Sequence, residues 1–309
     1  MRFLQLIHKQ GIKEEYRHLV ELHFWIFLNS FIPSINIFIS LSSVQIVFIR
    51  TFIAFTTLGI LIYRQRLHFR LPWSSILELL FTGVMTSFYW IFFVIAAKIG
   101  NASVALVGVA TTPLWVSLIA PFLGLRHLRF NEIMMGLNAI FGVYMIFSSS
   151  FAYSEGMVMA ILAAFFAALV TVVSSKYSKE YHHRVITFYQ MLGAWIGTIL
   201  VIPLFQNYLN TGEELWSVPT LTDCILVVVL AIIFSIIAFS SIIKVMSSLT
   251  PFQVSIAHNL SPIYGGVAAL LLFGEQEVMD VYFYAGALII IASLTAPPLA
   301  KKIFGNKRG

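Results

Sequence analysis

The chain of 309 residues is 59% hydrophobic and only 10% charged, whereas soluble domains carry about 25% charged residues. A soluble fold of this length cannot bury so much apolar surface, so the composition excludes that class and indicates a polytopic membrane protein. The net charge of +6 suits nucleic-acid binding at first sight. The single cysteine, Cys224, excludes an internal disulfide and a cysteine metal cluster.

The N-terminal segment, residues 1–19, comes before the first long apolar run. It has neither the continuous apolar core nor the small-residue cleavage site of a signal peptide. Apolar and basic residues alternate along it, which is typical of a short interfacial helix on an anionic leaflet. A disordered tail is the alternative, and in both cases we expect the segment to be cytoplasmic.

About ten apolar runs follow that are long enough to cross a bilayer, which takes roughly 20 residues. Each is predicted to be a transmembrane helix, so the expected fold is an all-α membrane protein with ten spans. The runs lie near residues 20–41, 44–63, 74–97, 102–124, 131–149, 156–175, 185–205, 222–244, 251–273 and 279–298.

The basic residues lie almost entirely on one side of the predicted spans. With the N-terminus in the cytoplasm, every inward segment carries Lys or Arg, including the tail at residues 299–309, and the outward loops carry only Lys98. Such an excess fixes the orientation of a membrane protein, and it accounts for the net charge. We therefore expect a multi-pass protein of the inner (plasma) membrane with both termini cytoplasmic, and no nucleic-acid partner.

The two halves of the chain are similar to each other. The segments Ser103–Gly124 and Phe252–Gly274 align so that one proline and the final glycine coincide. We therefore predict two repeats, at residues 20–150 and 151–298. Because five spans is an odd number, the second repeat enters the membrane in the opposite sense. Inverted repeats of this kind are a common plan for secondary transporters, with the binding site at the interface between them.

The run ALVGVATTPLWVSLIAPFLGLRHLRFNEIMMGLNAIFGVYMI, residues 105–146, resembles the fourth and fifth helices of the drug/metabolite transporter superfamily, in its ten-helix EamA-type branch. Arg50, in FIRTF, is similar to an arginine that these proteins often carry in helix two. The resemblance covers residues 20–298. The Gly-Glu-Arg that often follows helix four in the family reads Gly-Leu-Arg at residues 124–126, while the second repeat keeps Glu275. One of the two glutamates that could pair the repeats is therefore missing.

The resemblance implies a bundle of ten helices around a central cavity. Helices one, three, four, six, eight and nine would line that cavity. Helices five and ten would lie outside it, at the contact of a homodimer.

Pro113 and Pro262 lie inside two of the predicted spans. A proline removes one helical hydrogen bond and kinks the axis, so the carbonyls of Val109 and His258 lose their helical partners. In hydrocarbon such a carbonyl must face protein or a wet cavity. We interpret the two prolines as hinges beside a site at the membrane midplane, and packing kinks without mobility are the alternative.

His258, Asn259 and Ser255 share one predicted helix face just before Pro262. His258 is the only side chain near a span centre whose charge changes near neutral pH, and ionisable groups inside a membrane usually line pathways. It is a candidate for binding substrate or for accepting a coupling proton. A core histidine with a purely structural role is the alternative.

Further polar and aromatic side chains are expected to face the same cavity. Aromatic walls with a few amides and hydroxyls suit a small organic molecule, and ordinary packing is the alternative for each aromatic side chain. These candidates are Asn29, Tyr89, Trp90, Thr112, Trp115 and Gln190.

Two cations lie within or beside the predicted spans. An arginine or lysine at the centre of a transmembrane helix costs about 2.5–3.5 kcal/mol, but Arg50 is shallower and can extend towards the outer surface. Either Arg50 caps helix C-terminal carbonyls and fixes the bundle, or it attracts a carboxylate or phosphate in an outer vestibule. Lys98 closes span three on the outer side and is a further binding candidate.

The predicted span centres contain no Asp or Glu, which an exporter that trades organic cations for protons usually requires. We therefore expect a secondary transporter that exports a small neutral, zwitterionic or anionic metabolite, such as an amino acid, by alternating access. A nucleobase, a sugar or a drug-like compound is the alternative substrate. Because no nucleotide-binding or HExxH motif is present, neither an enzyme, a cofactor nor a metal site is expected. A membrane scaffold or receptor is the remaining class.

Overall fold

The computed structural model describes residues 2–125, 154–208 and 214–274, with isolated positions between 127 and 145 and between 281 and 292. Every regular element in these long segments is a helix, and they contain no strand. The predicted fifth span, the predicted tenth span and the basic tail lie outside the described residues, apart from those isolated positions.

Nine helices make up the long described segments, and seven of them, α3 to α9, are long and apolar enough to cross a membrane. The chain is therefore a multi-pass membrane protein. In chain order the helices are α1 Arg2–Asn29, α2 Ile32–Ile37, α3 Ser43–Arg64, α4 Trp73–Gly100, α5 Ala102–Phe122, α6 Ser154–Tyr177, α7 His183–Tyr208, α8 Leu221–Val245 and α9 Pro251–Phe273.

The first helix begins well before the first predicted span. Helix α1 runs without interruption from Arg2 to Asn29, so it continues across the predicted boundary at residue 19. The predicted first span is instead broken further on, where the chain turns at Ser30 and restarts as α2. Pro33 lies in the first turn of α2, where its missing N–H removes nothing that a helix start needs.

Short polar signals in the sequence set where the helices begin. The hydroxyl of Ser42 accepts a hydrogen bond from the Gln45 amide at 3.1 Å at the start of α3. A capping box, in which a side chain and a backbone amide three residues apart satisfy each other, starts α8 at Thr220 and Asp223. Such caps replace the partners that the first amides of a helix lack.

Irregular segments occur in both halves of the chain, and the helix interruptions lie at matching places. Helix α5 is interrupted at Ala110 and Thr111, and α9 at Asn259 and Leu260, in each case just before a proline. Helices α4 and α8 contain π-helical segments, at Ala96–Gly100 and Leu230–Ala238. Segments of π-helix are rare and often mark functional sites.

The two interrupted helices cross each other at their breaks. The first half of α5 packs on the second half of α9, and the second half of α5 packs on the first half of α9. Gly265 allows this close approach, because a Cβ there would collide with the Ser30 carbonyl oxygen and the Leu106 side chain. Small residues commonly permit such approaches between membrane helices.

The outer surface of the bundle is apolar, as contact with lipid requires. Large side chains such as Phe81 and Leu271 are 63% and 83% exposed. A continuous surface of this kind on a soluble monomer would drive association. In a bilayer it faces acyl chains, which are as apolar as the side chains themselves.

Candidate functional site

A cavity of about 130 Å³ lies inside the bundle, beside the crossing of α5 and α9. All the described helices except α7 contribute to its wall. The polar lining residues are Asn29, Arg50, Tyr89, Thr112, Thr171, Ser174, Ser255, His258 and Ser261, and the aromatic ones are Tyr89, Trp90, Phe93, Phe234 and Phe239. None of the lining residues is Asp or Glu.

The cavity is elongated. Its lining on α8 runs from Phe234 to Met246, about 18 Å along the axis at roughly 1.5 Å per residue. A cavity of comparable volume, about 150 Å³ in another protein, takes up one benzene molecule. The space therefore suits a compact small molecule.

Arg50 is buried in the wall of this cavity, with only 2% of its surface exposed. Its Nε donates a hydrogen bond to the Ser235 hydroxyl at 3.0 Å, and its Cζ lies 3.8 Å from the centre of the Trp90 ring. The Ser235 hydroxyl in turn donates to the Leu230 carbonyl inside the π-helical segment of α8, at 3.1 Å. Within the described chain, no carboxylate pairs with Arg50 and no helix-terminal carbonyl accepts from it. The role of Arg50 as a helix cap therefore stays a prediction.

His258 and Asn259 lie at the interruption of α9 but face different surroundings. His258 is half-buried and lines the cavity. Asn259 is fully buried, lies outside the lining, and none of the described residues forms a hydrogen bond with its side-chain oxygen or nitrogen. Ser255 lines the cavity one turn earlier, and its hydroxyl donates to the Phe252 carbonyl at 3.0 Å.

The interruptions place two helix N-termini against the cavity. Thr112 begins the second half of α5, and Ser261 begins the second half of α9. Both line the cavity, and each is followed directly by proline. The start of a helix carries a partial positive charge and free amides, and discontinuous membrane helices often direct such ends at anionic groups.

Comparison with known proteins assigns the chain to a family. The model of the EamA-like transporter family matches it twice, at residues 23–148 and 154–296. The chain belongs to the EamA-like transporter family. Its two halves both carry the family's sequence pattern.

Two further similarities accompany this family match. The "Uncharacterized transporter YdfC" of Bacillus subtilis is 23% identical over 192 residues, which is 61% of this EamA-like chain and 60% of YdfC. The alignment therefore spans about three fifths of that relative's length. A solved structure described only as "Crystal structure of protein" superposes with a TM-score of 0.65 and 16% identity, over 92% of this chain and 98% of that one. At that identity the likeness shows a shared fold.

The structure brings seven of the sequence-predicted binding candidates of this EamA-like transporter to one cavity. These seven are Asn29, Arg50, Tyr89, Trp90, Thr112, Ser255 and His258. Asn259, Trp115, Gln190 and Lys98 do not line it, and neither do the two prolines predicted as hinges, Pro113 and Pro262.

Three candidates outside the lining make other contacts. Gln190 donates from Nε2 to the Ser174 hydroxyl at 2.8 Å, so it holds a lining residue from behind. The Trp115 ring packs edge-on against Phe165, with 5.3 Å between ring centres. Lys98 donates to the Leu41 carbonyl at 2.5 Å, close to the start of α3.

The contribution of α6 to the cavity was not predicted from the sequence. Thr171 and Ser174 lie one helical turn apart on α6 and line the cavity. They are polar positions in a helix that otherwise buries mostly small apolar residues. A polar stripe with this spacing is the signal that could have identified them.

Polar contacts between the halves of the chain close both ends of the bundle. At the end where α6 and α8 finish, Glu78 pairs with Lys176 at 2.7 Å and Glu21 pairs with Lys244 at 3.1 Å. At the opposite end, the Asp223 carboxylate accepts hydrogen bonds from the Ser40 amide at 2.8 Å and from its hydroxyl at 2.7 Å. The Glu78–Lys176 and Ser40–Asp223 contacts join one half of the family match to the other, and Glu21 lies two residues before the first matched segment.

Proposed function

We propose that this EamA-like protein is a secondary transporter that exports a small metabolite by alternating access. The observation that carries the proposal is the polar cavity beside two interrupted helices that cross at their breaks. Discontinuous helices at the interface of two repeats are a recurrent way to build a substrate site inside a membrane.

The proposed architecture is ten helices in two inverted repeats, residues 20–150 and 151–298. The twofold match of the family model supports a duplicated chain. The matched pair of helix breaks supports equivalent helices in the two halves. The one-sided distribution of Lys and Arg supports an inner-membrane protein with both termini in the cytoplasm.

The proposed substrate is a small neutral, zwitterionic or anionic compound such as an amino acid. The cavity volume disfavours bulky drug-like molecules, and its apolar and aromatic wall with scattered hydroxyls suits a compact organic molecule. With Arg50 in the wall and no acidic residue in the lining, an organic cation would meet repulsion without compensation. The proposal assigns neither a cofactor nor catalysis to the chain.

The cavity extends towards the proposed cytoplasmic end of the bundle. Ser174 and Met246 line it close to the ends of α6 and α8, while the contacts of Asp223 and of Gln45 with Ser217 hold the outer end together. An exporter must load from the cytoplasm and then separate such outer contacts. In this scheme the two prolines are hinges, and His258 contacts substrate or accepts a coupling proton.

The test is flux through purified full-length protein in liposomes, measured with a panel of radiolabelled amino acids, small organic acids, nucleobases and sugars. Saturable flux of at least one small compound, reduced by Trp90→Ala and unchanged by Phe81→Ala on the lipid-facing surface, is the expected result. A panel with no flux above protein-free liposomes would contradict the proposal and favour a scaffold or receptor.

A further inference from the structure

Arg50 is a buried cation without a counter-ion in the part of the chain that the structure describes. Its side chain lies in the cavity wall, 2% exposed, and no other lining residue is permanently charged. A buried charge is strongly unfavourable unless an opposite charge or several hydrogen bonds compensate it. One hydroxyl and one aromatic ring are the only partners that the described residues give to this guanidinium.

The contacts of Arg50 also determine which of its N–H groups remain available. Nε is occupied by Ser235, and the flat face of the guanidinium lies over Trp90. The two terminal nitrogens make no hydrogen bond within the described chain. These nitrogens form the planar fork that binds both oxygens of a carboxylate.

Space for such a group lies next to the guanidinium. A second void of about 20 Å³ is bounded by Arg50, Tyr89, Trp90 and Phe93, which also line the main cavity. A volume of this size holds about one water-sized group. The Tyr89 hydroxyl has no hydrogen-bond partner among the described residues and can donate to an oxygen placed there.

Two helix starts also lie at the wall of the main cavity. The starts of the second halves of α5 and α9, at Thr112 and Ser261, both reach its wall. Their partial positive charges add to that of Arg50. The first halves of α5 and α9 end beside these starts, at Val109 and His258, and their partial negative charges oppose this effect. The preference for a carboxylate is therefore carried by Arg50, and no lining carboxylate favours an ammonium group.

We infer that the substrate carries a carboxylate that binds the terminal nitrogens of Arg50, with its apolar body along the aromatic wall, and that an ammonium group is not required. This inference rests on the proposed transport function and names its substrate class. Ser235 and Trp90 are positioning residues, because they hold the guanidinium through Nε and through its face.

The test compares benzoate with benzamide, which have the same shape and differ in charge. Equilibrium binding to the purified full-length protein in detergent is measured with radiolabelled benzoate and with benzamide as competitor. We expect benzoate to bind at least about tenfold more tightly, because a bidentate charged pair is lost with the amide. Arg50→Gln should bring the two affinities within about twofold, and Arg50→Lys should leave an intermediate preference because it keeps the charge but loses the fork.

Arg64→Gln is the matched control, because Arg64 is an exposed arginine at the end of the same helix. It should keep the wild-type preference. Equal binding of benzoate and benzamide to the wild-type protein, binding of neither, or an unchanged preference in Arg50→Gln would each overturn the inference. The comparison of benzoate with benzamide on the wild-type protein tests the inference even where a variant fails to fold.

The liposome assay separates this inference from the proposed function. Flux of neutral compounds without any preference for carboxylates would overturn the assignment of Arg50 and leave the transporter proposal intact. Carboxylate binding that depends on Arg50, without flux of any compound, would leave the binding site intact and contradict transport.

Discussion

Gly265 lies where α9 meets both α5 and the break between α1 and α2, so an added methyl group there tests the helix crossing directly. A Cβ at this position would collide with the Ser30 carbonyl oxygen and the Leu106 side chain, whereas a Cβ at Gly266 meets nothing within 4 Å. A backbone carbonyl cannot rotate away as a side chain can. The whole of α9 must therefore shift against α1 to accept alanine at position 265.

The two neighbouring glycines predict opposite effects on stability. Overpacking a close contact costs about 1–3 kcal/mol, and alanine favours a helix over glycine by about 1 kcal/mol. The net expectation is a loss of up to about 2 kcal/mol for Gly265→Ala and a gain of up to about 1 kcal/mol for Gly266→Ala. At about 2–4 °C per kcal/mol, this difference of up to about 3 kcal/mol should separate the two melting temperatures by up to roughly 6–12 °C.

The assay is thermal unfolding of both variants in the same detergent, followed by size-exclusion chromatography with fluorescence detection, together with flux in liposomes. Gly265→Ala should melt below the wild-type protein and transport more slowly, while Gly266→Ala should match or exceed wild-type stability. Equal melting temperatures for the two variants would refute the close crossing of α9 with α1 and α5.

Three further predictions concern the hinges, the orientation and the coupling. Pro262→Ala should slow flux without loss of benzoate binding, because a continuous helix would replace the break in α9. Unchanged flux would show that Pro262 forms a packing kink and not a hinge. In a Cys224→Ala background, a membrane-impermeant thiol reagent should label Glu214→Cys on intact cells but reach Lys179→Cys only after permeabilisation, and the reverse pattern would invert the topology. His258→Ala should abolish any stimulation of flux by a pH gradient, and coupling that survives this substitution would remove the histidine from proton transfer.

The sequence predicts the class of this protein well, because composition and hydropathy report on lipid contact directly. The all-helical membrane fold and the transporter family are confirmed. The predicted run at residues 44–63 differs from α3, Ser43–Arg64, by one residue at each end. Its capping residue, Ser42, accounts for that start. The predicted boundary at residue 19 does not coincide with the end of a helix. Helix α1 continues there from a basic, mixed segment into an apolar one without any helix-breaking residue.

The site is only partly predictable, because periodicity defines a face of a helix but not the direction in which that face points. Gln190 is polar and in the right span, yet the rotation of α7 directs it to the Ser174 hydroxyl and not to the cavity. Asn259 follows His258 directly, and the turn at the break of α9 separates the two side chains. The partners of Arg50 are distant in sequence, since Ser235 comes from a π-helical segment that no pattern in the sequence indicates.

The helix breaks also concentrate groups that destabilise the fold. Asn29 precedes the turn between α1 and α2, and Asn259 lies at the break of α9. The Oδ1 atom of Asn29 and both polar side-chain atoms of Asn259 are buried and have no hydrogen-bond partner among the described residues. Each such atom costs about 1–3 kcal/mol, and the unpaired cation of Arg50 adds to this cost. Residues that violate the rules of stable packing are expected at functional sites. Asn29 and Arg50 lie in the wall of one cavity, and Asn259 lies at the break of α9 where it crosses α5. This placement is an argument for binding there that does not depend on the resemblance to any other protein.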